Sequence, residues 1–213
     1  MKNPIISILD YGSGNIGSLV NMFNHIGTKV QVVSKAEKIS SDAALVLPGV
    51  GHFGRAVEKL EKNGATEAIL KHVDAGKPLL GICVGMQMLF EHSSEGDAPG
   101  LGLIKGKVRH FDRDRFSRRL PLPHVGWGSV GPVNAIGHRL LQNMPKHPRF
   151  YFVHSYHAEC ANQSDAIMEA TYGYQFTCAV AHQNITGFQF HPEKSHVFGM
   201  ALLSNWIKCI NDQ

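Results

Sequence analysis

The chain has 213 residues, of which 43% are apolar and 18% charged, and its net charge is +4 with histidine neutral. This balance excludes a disordered or fibrous chain, and the modest positive charge gives no ground for a nucleic-acid partner. No apolar run approaches the ~20 residues that span a bilayer, and the first apolar stretch is too short for a secretory leader, so a cytoplasmic protein of one domain over 1–213 is expected.

Residues Ile5–Leu9 read as a first strand ending in the turn-rich Asp10-Tyr-Gly-Ser-Gly-Asn15. Helical spacing follows at Ile16, Leu19, Val20, Phe23 and Ile26, closed by Gly27. Val30–Val33 and Ala43–Leu47 are further strands, the latter running into Pro48-Gly-Val-Gly51. Val57, Leu60, Ile69 and Val73 mark a helical stretch interrupted near Asn63-Gly64 and stopped at Gly76. Pro78–Ile82 is a fourth strand, followed by Cys83 and a helix through Met86, Leu89 and Phe90. Strands alternating with helices predict an α/β fold with a mostly parallel sheet flanked by helices. Ligands in such folds bind beyond the carboxyl ends of the strands, where the loops after strands one, three and four converge.

The second half carries short strands with tight connections: Gly102–Phe111, Phe150–Val153, Ile167–Tyr172, Cys178–His182 and Ile185–Phe190, with Gln183-Asn184 as a hairpin turn. They predict a smaller antiparallel extension. A last helix runs from about His196 to Ile210 with Ser195 as N-cap and Val197, Met200, Ala201, Leu203, Ser204 and Ile207 facing inward. Cysteines 83, 160, 178 and 209 form no C-x-x-C pair and lie near no histidine at metal-ligand spacing, so free thiols and no metal are expected. The basic stretch between Arg109 and Arg119 is interrupted by Asp112 and Asp114; it reads as a solvated loop or as a patch for an anionic partner.

Gly81-Ile-Cys83-Val-Gly85 joins an apolar strand to a helix, the form of a nucleophile elbow in which glycines relieve crowding around a strained, cleft-facing residue. A small buried cysteine in a glycine-rich strand end has the same local sequence. A nucleophilic thiol needs a base, and the base an orienting group. His191-Pro192-Glu193 offers both directly after an apolar strand, with Pro192 forcing the turn that sets the carboxylate behind the imidazole. Alone it reads as a surface turn with one His and one Glu; the elbow is what gives it chemical meaning.

At these residues the chain resembles the class I (triad) glutamine amidotransferases over its full length, through Gly81-Ile-Cys-Val-Gly-Met-Gln87, Pro48-Gly-Val-Gly51 and Gln189-Phe-His-Pro-Glu-Lys194. More narrowly, Asp10-Tyr-Gly-Ser-Gly-Asn15, Tyr151-Phe-Val-His-Ser-Tyr156 and His191-Pro-Glu-Lys-Ser195 are similar to the glutaminase subunits of imidazole glycerol phosphate synthases. The resemblance implies that Cys83 attacks the side-chain amide of L-glutamine, with His191 as acid and base and Glu193 orienting it. It implies an oxyanion hole from the N–H of Val84 and one near Val50, and glutamine contacts from Gly51, Gln87, Glu95, Ser155 and Tyr156. It also implies no cofactor and a heterodimer with a (β/α)₈-barrel cyclase, met by Asn15, Trp127, Tyr151 and Lys194, which receives the ammonia for histidine biosynthesis. Taken singly, Gln87 could be a polar residue on a helix surface, Glu95 a solvated loop carboxylate, and Trp127 a core residue.

Two positions depart from the family pattern. Val84 replaces the usual Leu, and Gly128 follows Trp127 where Asn is usual. On a flexible, exposed Gly126-Trp-Gly128 loop, Gly128 would remove an amide from the partner surface. It leaves room for ammonia delivery to another acceptor, as in a sugar-amidating system. A catalytically silent scaffold for a barrel partner and a cysteine peptidase of similar fold are the other readings; the intact Cys83, His191 and Glu193 count against the first, and Gln87, Ser155 and Tyr156 against the second.

Overall fold

The computed structural model of the chain describes residues 4–39 and 43–212. The strands of the first half are β1 (Ile5–Leu9), β2 (Val30–Val33), β3 (Ala43–Gly49) and β4 (Leu79–Cys83). Those of the second half are β5 (Phe90–Ser93), β6 (Ala98–Pro99), β7 (Ile104–His110), β8 (His124–Pro132), β9 (Arg149–His154), β10 (Tyr156–Cys160), β11 (Ala166–Tyr172), β12 (Tyr174–His182) and β13 (Ile185–Phe188). They form one sheet in the order β2-β1-β3-β4-β13-β12-β10-β7-β5-β6, with β11, β8 and β9 continuing from β12 as a branch. From β2 to β13 neighbouring strands are parallel; the pairings of β12 with its neighbours are antiparallel.

Every residue of β3 and of β4 is buried, as befits strands covered on both faces, and their sequences are nearly unbroken apolar runs for that reason. Helix α1 (Ile16–His25) turns Leu19 and Phe23 to the core, α2 (Phe53–Lys62) Phe53, Ala56 and Leu60, and α3 (Ala65–Asp74) Ala65, Ile69 and Val73. Gly64 separates α2 from α3 with φ +72°, where the sequence breaks the helical pattern. Two further helices, α5 (Ala135–Leu140) and α6 (His196–Asn211), pack together, and the Asn205 amide ties them by donating to the carbonyls of Leu140 and Gln142.

Several expectations need correction. Helix α4 (Val84–Gln87) is a single turn and does not reach Phe90, which begins β5. The carbonyls that would continue it are taken by another segment: Leu101 N–H donates to Met88, Ile104 N–H to Leu89 and Gly102 N–H to Phe90. Residues 124–132 are a strand, so Trp127 and Gly128 do not sit on a flexible loop. In α6, Leu203 and Ile207 face inward as expected, but the other buried residues are Gly199, Leu202, Asn205 and Trp206, while Met200, Ala201 and Ser204 are half-buried and Val197 is exposed. Gly199 lets the helix close on the preceding turn, since a Cβ there would lie 1.9 Å from the Pro192 carbonyl oxygen. Ser195 does not cap α6 with its side chain: its Oγ donates to the His191 carbonyl at 2.6 Å and accepts from Tyr151 N–H at 3.0 Å. No helix among the described residues is long and apolar enough to cross a membrane.

Candidate active site

Strand register assembles the site. In β4, Cys83 lies opposite Gly49 of β3, and on its other side Phe188 of β13 lies opposite Ile82, which sets Gln189 level with Cys83. The carboxyl ends of three parallel strands thus deliver the Pro48–Gly51 loop, the thiol and the Gln189–Glu193 segment to one edge.

Cys83 has φ +56° and ψ −114°, a region costly for any residue with a Cβ. The chain can hold it there because its flanking glycines let backbones close around the turn. A Cβ at Gly85 would lie 1.9 Å from the Leu47 carbonyl oxygen, and one at Gly81 would lie 2.7 Å from backbone atoms of Gly85 and Met86. α4 is only one turn long, so it sets no long helix dipole against the sulfur.

Behind the thiol, His191 and Glu193 form a buried pair, Nδ1 donating to Oε1 at 2.8 Å. That bond fixes the imidazole and leaves Nε2 buried without a hydrogen-bond partner among the described residues. Burial opposes charge on this ring, but the nearby Cys83 sulfur and the Glu193 carboxylate outweigh it and push the His191 pKa up to about 10. The arrangement favours an imidazolium beside the sulfur, which is the state a nucleophilic thiolate needs.

A cavity of about 530 Å³ opens in front of Cys83 and His191. Val50, Gly51, Val84, Gln87, Glu95, Ser155 and Tyr156 all line it. Gln87 is buried, not on a helix surface, and its amide nitrogen donates to the Tyr156 carbonyl and to Gln189 Oε1. Glu95 is no solvated loop carboxylate: its Oε2 accepts from the Phe53 N–H at the start of α2 at 2.7 Å. The Val50 N–H donates to Ser13 Oγ at 3.2 Å, so in this conformation it is engaged away from any oxyanion.

Asn15 and Lys194 stand at the cavity rim, while Trp127 and Tyr151 lie outside it on paired positions of β8 and β9. Trp127 is 44% exposed, meets the Tyr151 ring edge-on and stacks on His196; Lys194 Nζ sits 5.6 Å from the Tyr151 ring centroid. Gly128 faces the opposite side of the sheet, where a Cβ would be 2.9 Å from the Phe152 ring. It is a packing residue, and the sequence reading of it as partner-facing is corrected.

Sequence reasoning assigned no role to Tyr11, Ser13, His154 or Gln189. Buried Tyr11 donates to the Pro48 carbonyl at 2.7 Å, bracing the loop before Gly49, and burial raises its phenol pKa. His154 lines the cavity with Nδ1 bonded to the Tyr156 carbonyl at 2.8 Å. All four lie within quoted motifs, but nothing in residue type alone separated their roles from those of their neighbours. No group of three potential ligands able to hold a metal ion occurs among the described residues.

The family described as glutamine amidotransferase class-I matches residues 7–209. An imidazole glycerol phosphate synthase subunit HisH of Sulfurimonas denitrificans is 47% identical over 208 residues, covering 97% of this chain and 99% of its own length. The subunit of the same name from Leptospira interrogans is 43% identical over 203 residues, covering 95% and 98%. Among solved structures, PurLQS from Thermotoga maritima aligns with a TM-score of 0.74 at 17% identity, over 99% of this chain and 100% of that one, a likeness of fold. The chain therefore belongs to the class-I glutamine amidotransferases and, within them, to the HisH subunits of imidazole glycerol phosphate synthase.

Proposed function

We propose that Cys83, His191 and Glu193 carry out the glutaminase half-reaction and that the ammonia passes to a (β/α)₈-barrel cyclase seated over Asn15, Trp127, Tyr151 and Lys194. The thiolate of Cys83 attacks the side-chain amide carbon of L-glutamine, and the imidazolium of His191 gives its proton to the departing nitrogen, releasing ammonia and leaving a glutamyl thioester. His191, now neutral, takes a proton from water. The hydroxide adds to the thioester, the C–S bond breaks with its electron pair on sulfur, and glutamic acid leaves and loses a proton to solvent. The Val84 N–H and one from the Val50 region stabilise the tetrahedral oxyanions, each such donor being worth ~10²–10³ in rate.

The observation that carries this reading is the strained Cys83 at the end of β4 with the buried His191–Glu193 pair beside it. The Trp127–Tyr151 face supports a docking role: Trp127 is exposed on paired strands beside the half-buried Tyr151, and exposed aromatic anchors are enriched at interfaces. Gly128 lends no weight to another acceptor, since it packs on Phe152. The test is Cys83→Ala in the complex with the organism's own cyclase. Glutamine-dependent turnover should fall to below ~10⁻³ of wild type while turnover with free ammonia persists. Retained glutamine turnover would rule out the triad, and failure of either form to bind the cyclase would rule out the partner.

A further inference from the structure

Register places one more side chain against the nucleophile. Gln189 continues β13 just beyond its last paired residue, level with Cys83 on the neighbouring strand, and it is completely buried. Its backbone N–H is held by the Cys178 carbonyl of β12, so the residue cannot drift along the strand. Its side-chain nitrogen lies 3.9 Å from Cys83 Sγ in donor geometry.

The direction of that amide is not free. The Tyr156 carbonyl can only accept, so Gln87 must present its NH₂ there, at 3.1 Å. The same NH₂ points its second hydrogen at Gln189, 3.0 Å away, so Gln189 must answer with its oxygen. With Oε1 committed, the Gln189 NH₂ faces the sulfur. A backbone carbonyl thereby fixes, through two buried amides, a hydrogen-bond donor on the reacting atom.

We infer that Gln189 is a further catalytic residue, whose amide N–H stabilises the Cys83 sulfur as it carries negative charge, and that Gln87 acts as the positioning residue that aims it. The inference rests on the triad reading above. In thioester hydrolysis the C–S bond breaks and its electron pair stays on sulfur; the Gln189 N–H hydrogen-bonds that pair, while the proton taken from water stays on His191. The contact is long at rest, as such contacts often are before substrate is bound. Gly49 occupies the other flank of Cys83, so the sulfur has an oxyanion-side strand on one hand and a sulfur-side donor on the other.

The test compares wild type, Cys83→Ala and Gln189→Met in the complex with the organism's cyclase, under steady-state glutamine turnover and after acid quench with intact-mass analysis. Gln189→Met keeps the bulk and loses the donor. It should lower kcat about tenfold or more with KM for glutamine within about twofold, and a glutamyl adduct on Cys83 should accumulate because the leaving sulfur has lost its donor. Should Gln189→Met lose its melting transition, Gln189→Glu, with the same shape, carries the comparison; it should lower kcat further by setting a carboxylate against the sulfur. A folded variant with wild-type kcat and no adduct would overturn the inference. No turnover in wild type, or full turnover in Cys83→Ala, would instead defeat the triad reading on which it stands.

Discussion

The hydroxyl of Ser13 holds both backbone groups of Val50, accepting from its N–H at 3.2 Å and donating to its C=O at 3.0 Å. The N–H proposed above as an oxyanion-hole donor is therefore tied to a side chain from the β1–α1 loop, and on that proposal the peptide must turn before it can serve a tetrahedral intermediate. Such a resting state suits a glutaminase that should not spend glutamine without an acceptor. Ser13→Ala is expected to raise the glutaminase activity of the isolated chain about fivefold, two exposed hydrogen bonds at ~0.5 kcal/mol each amounting to about 1 kcal/mol. Steady-state glutamate release without partner checks it; an unchanged or lower rate would show that the latch does not hold the site back.

Gly128 gives a stability prediction. Phe152 is fully buried and stacked on His124, so its ring has no room to yield to a Cβ at 2.9 Å. Gly128→Asn should cost about 1–3 kcal/mol by overpacking, which for a chain of this size lowers Tm by roughly 2–12 °C. An unchanged melting curve with altered cyclase affinity would restore the partner-facing reading.

Acid should unfold the protein early. Burial holds His154 down to about 3 and His124 down to about 4, and it also lowers His157 and His72. Between those values and about 6.5 the unfolded chain binds protons that the native state does not, so stability falls as pH drops below about 6.5. Each such histidine contributes a slope of about 1.4 kcal/mol per pH unit within its window. Urea unfolding at pH 7, 6 and 5 measures this; a flat profile would mean that these rings protonate without unfolding the chain.

The four cysteines should not react alike. Burial raises the Cys160 thiol to about 12, lifts Cys178 well above the usual range and raises Cys209. Iodoacetamide at neutral pH is expected to modify Cys83 first, with an imidazolium beside it, and to abolish glutamine turnover in step. Peptide mapping that finds Cys160 or Cys209 labelled ahead of Cys83 would contradict this.

Much of the fold was legible because strands buried on both faces leave unbroken apolar runs, as in Ala43–Leu47 and Pro78–Ile82, and because Gly27, Gly64 and Gly76 punctuate the helices. The second half was harder. His124–Pro132 carries glycines at 126, 128 and 131, and its inward positions pack on rings from β9, so neither alternation nor β-propensity announces a strand. The short turn after Cys83 gives way to tertiary pairing, since Leu101, Ile104 and Gly102 capture the carbonyls of Met88, Leu89 and Phe90 just beyond it, and no local spacing encodes that. At the site, residue type and motif pointed to Cys83, His191 and Glu193, whereas Ser13 and Gln189 depend on which neighbour the register sets beside them.

Ser195 ties two functions to one atom. Its hydroxyl joins the Tyr151 N–H to the His191 carbonyl, and the His191 N–H returns to the Tyr151 carbonyl at 2.8 Å. Tyr151 on β9 and His191 beside Cys83 are thus stitched main chain to main chain, with one buried hydroxyl as the side-chain element. A shift of the Tyr151 main chain must therefore carry the His191 main chain with it or break these three hydrogen bonds. The main chain that bears His191 is in mechanical terms an extension of the strand that carries Tyr151.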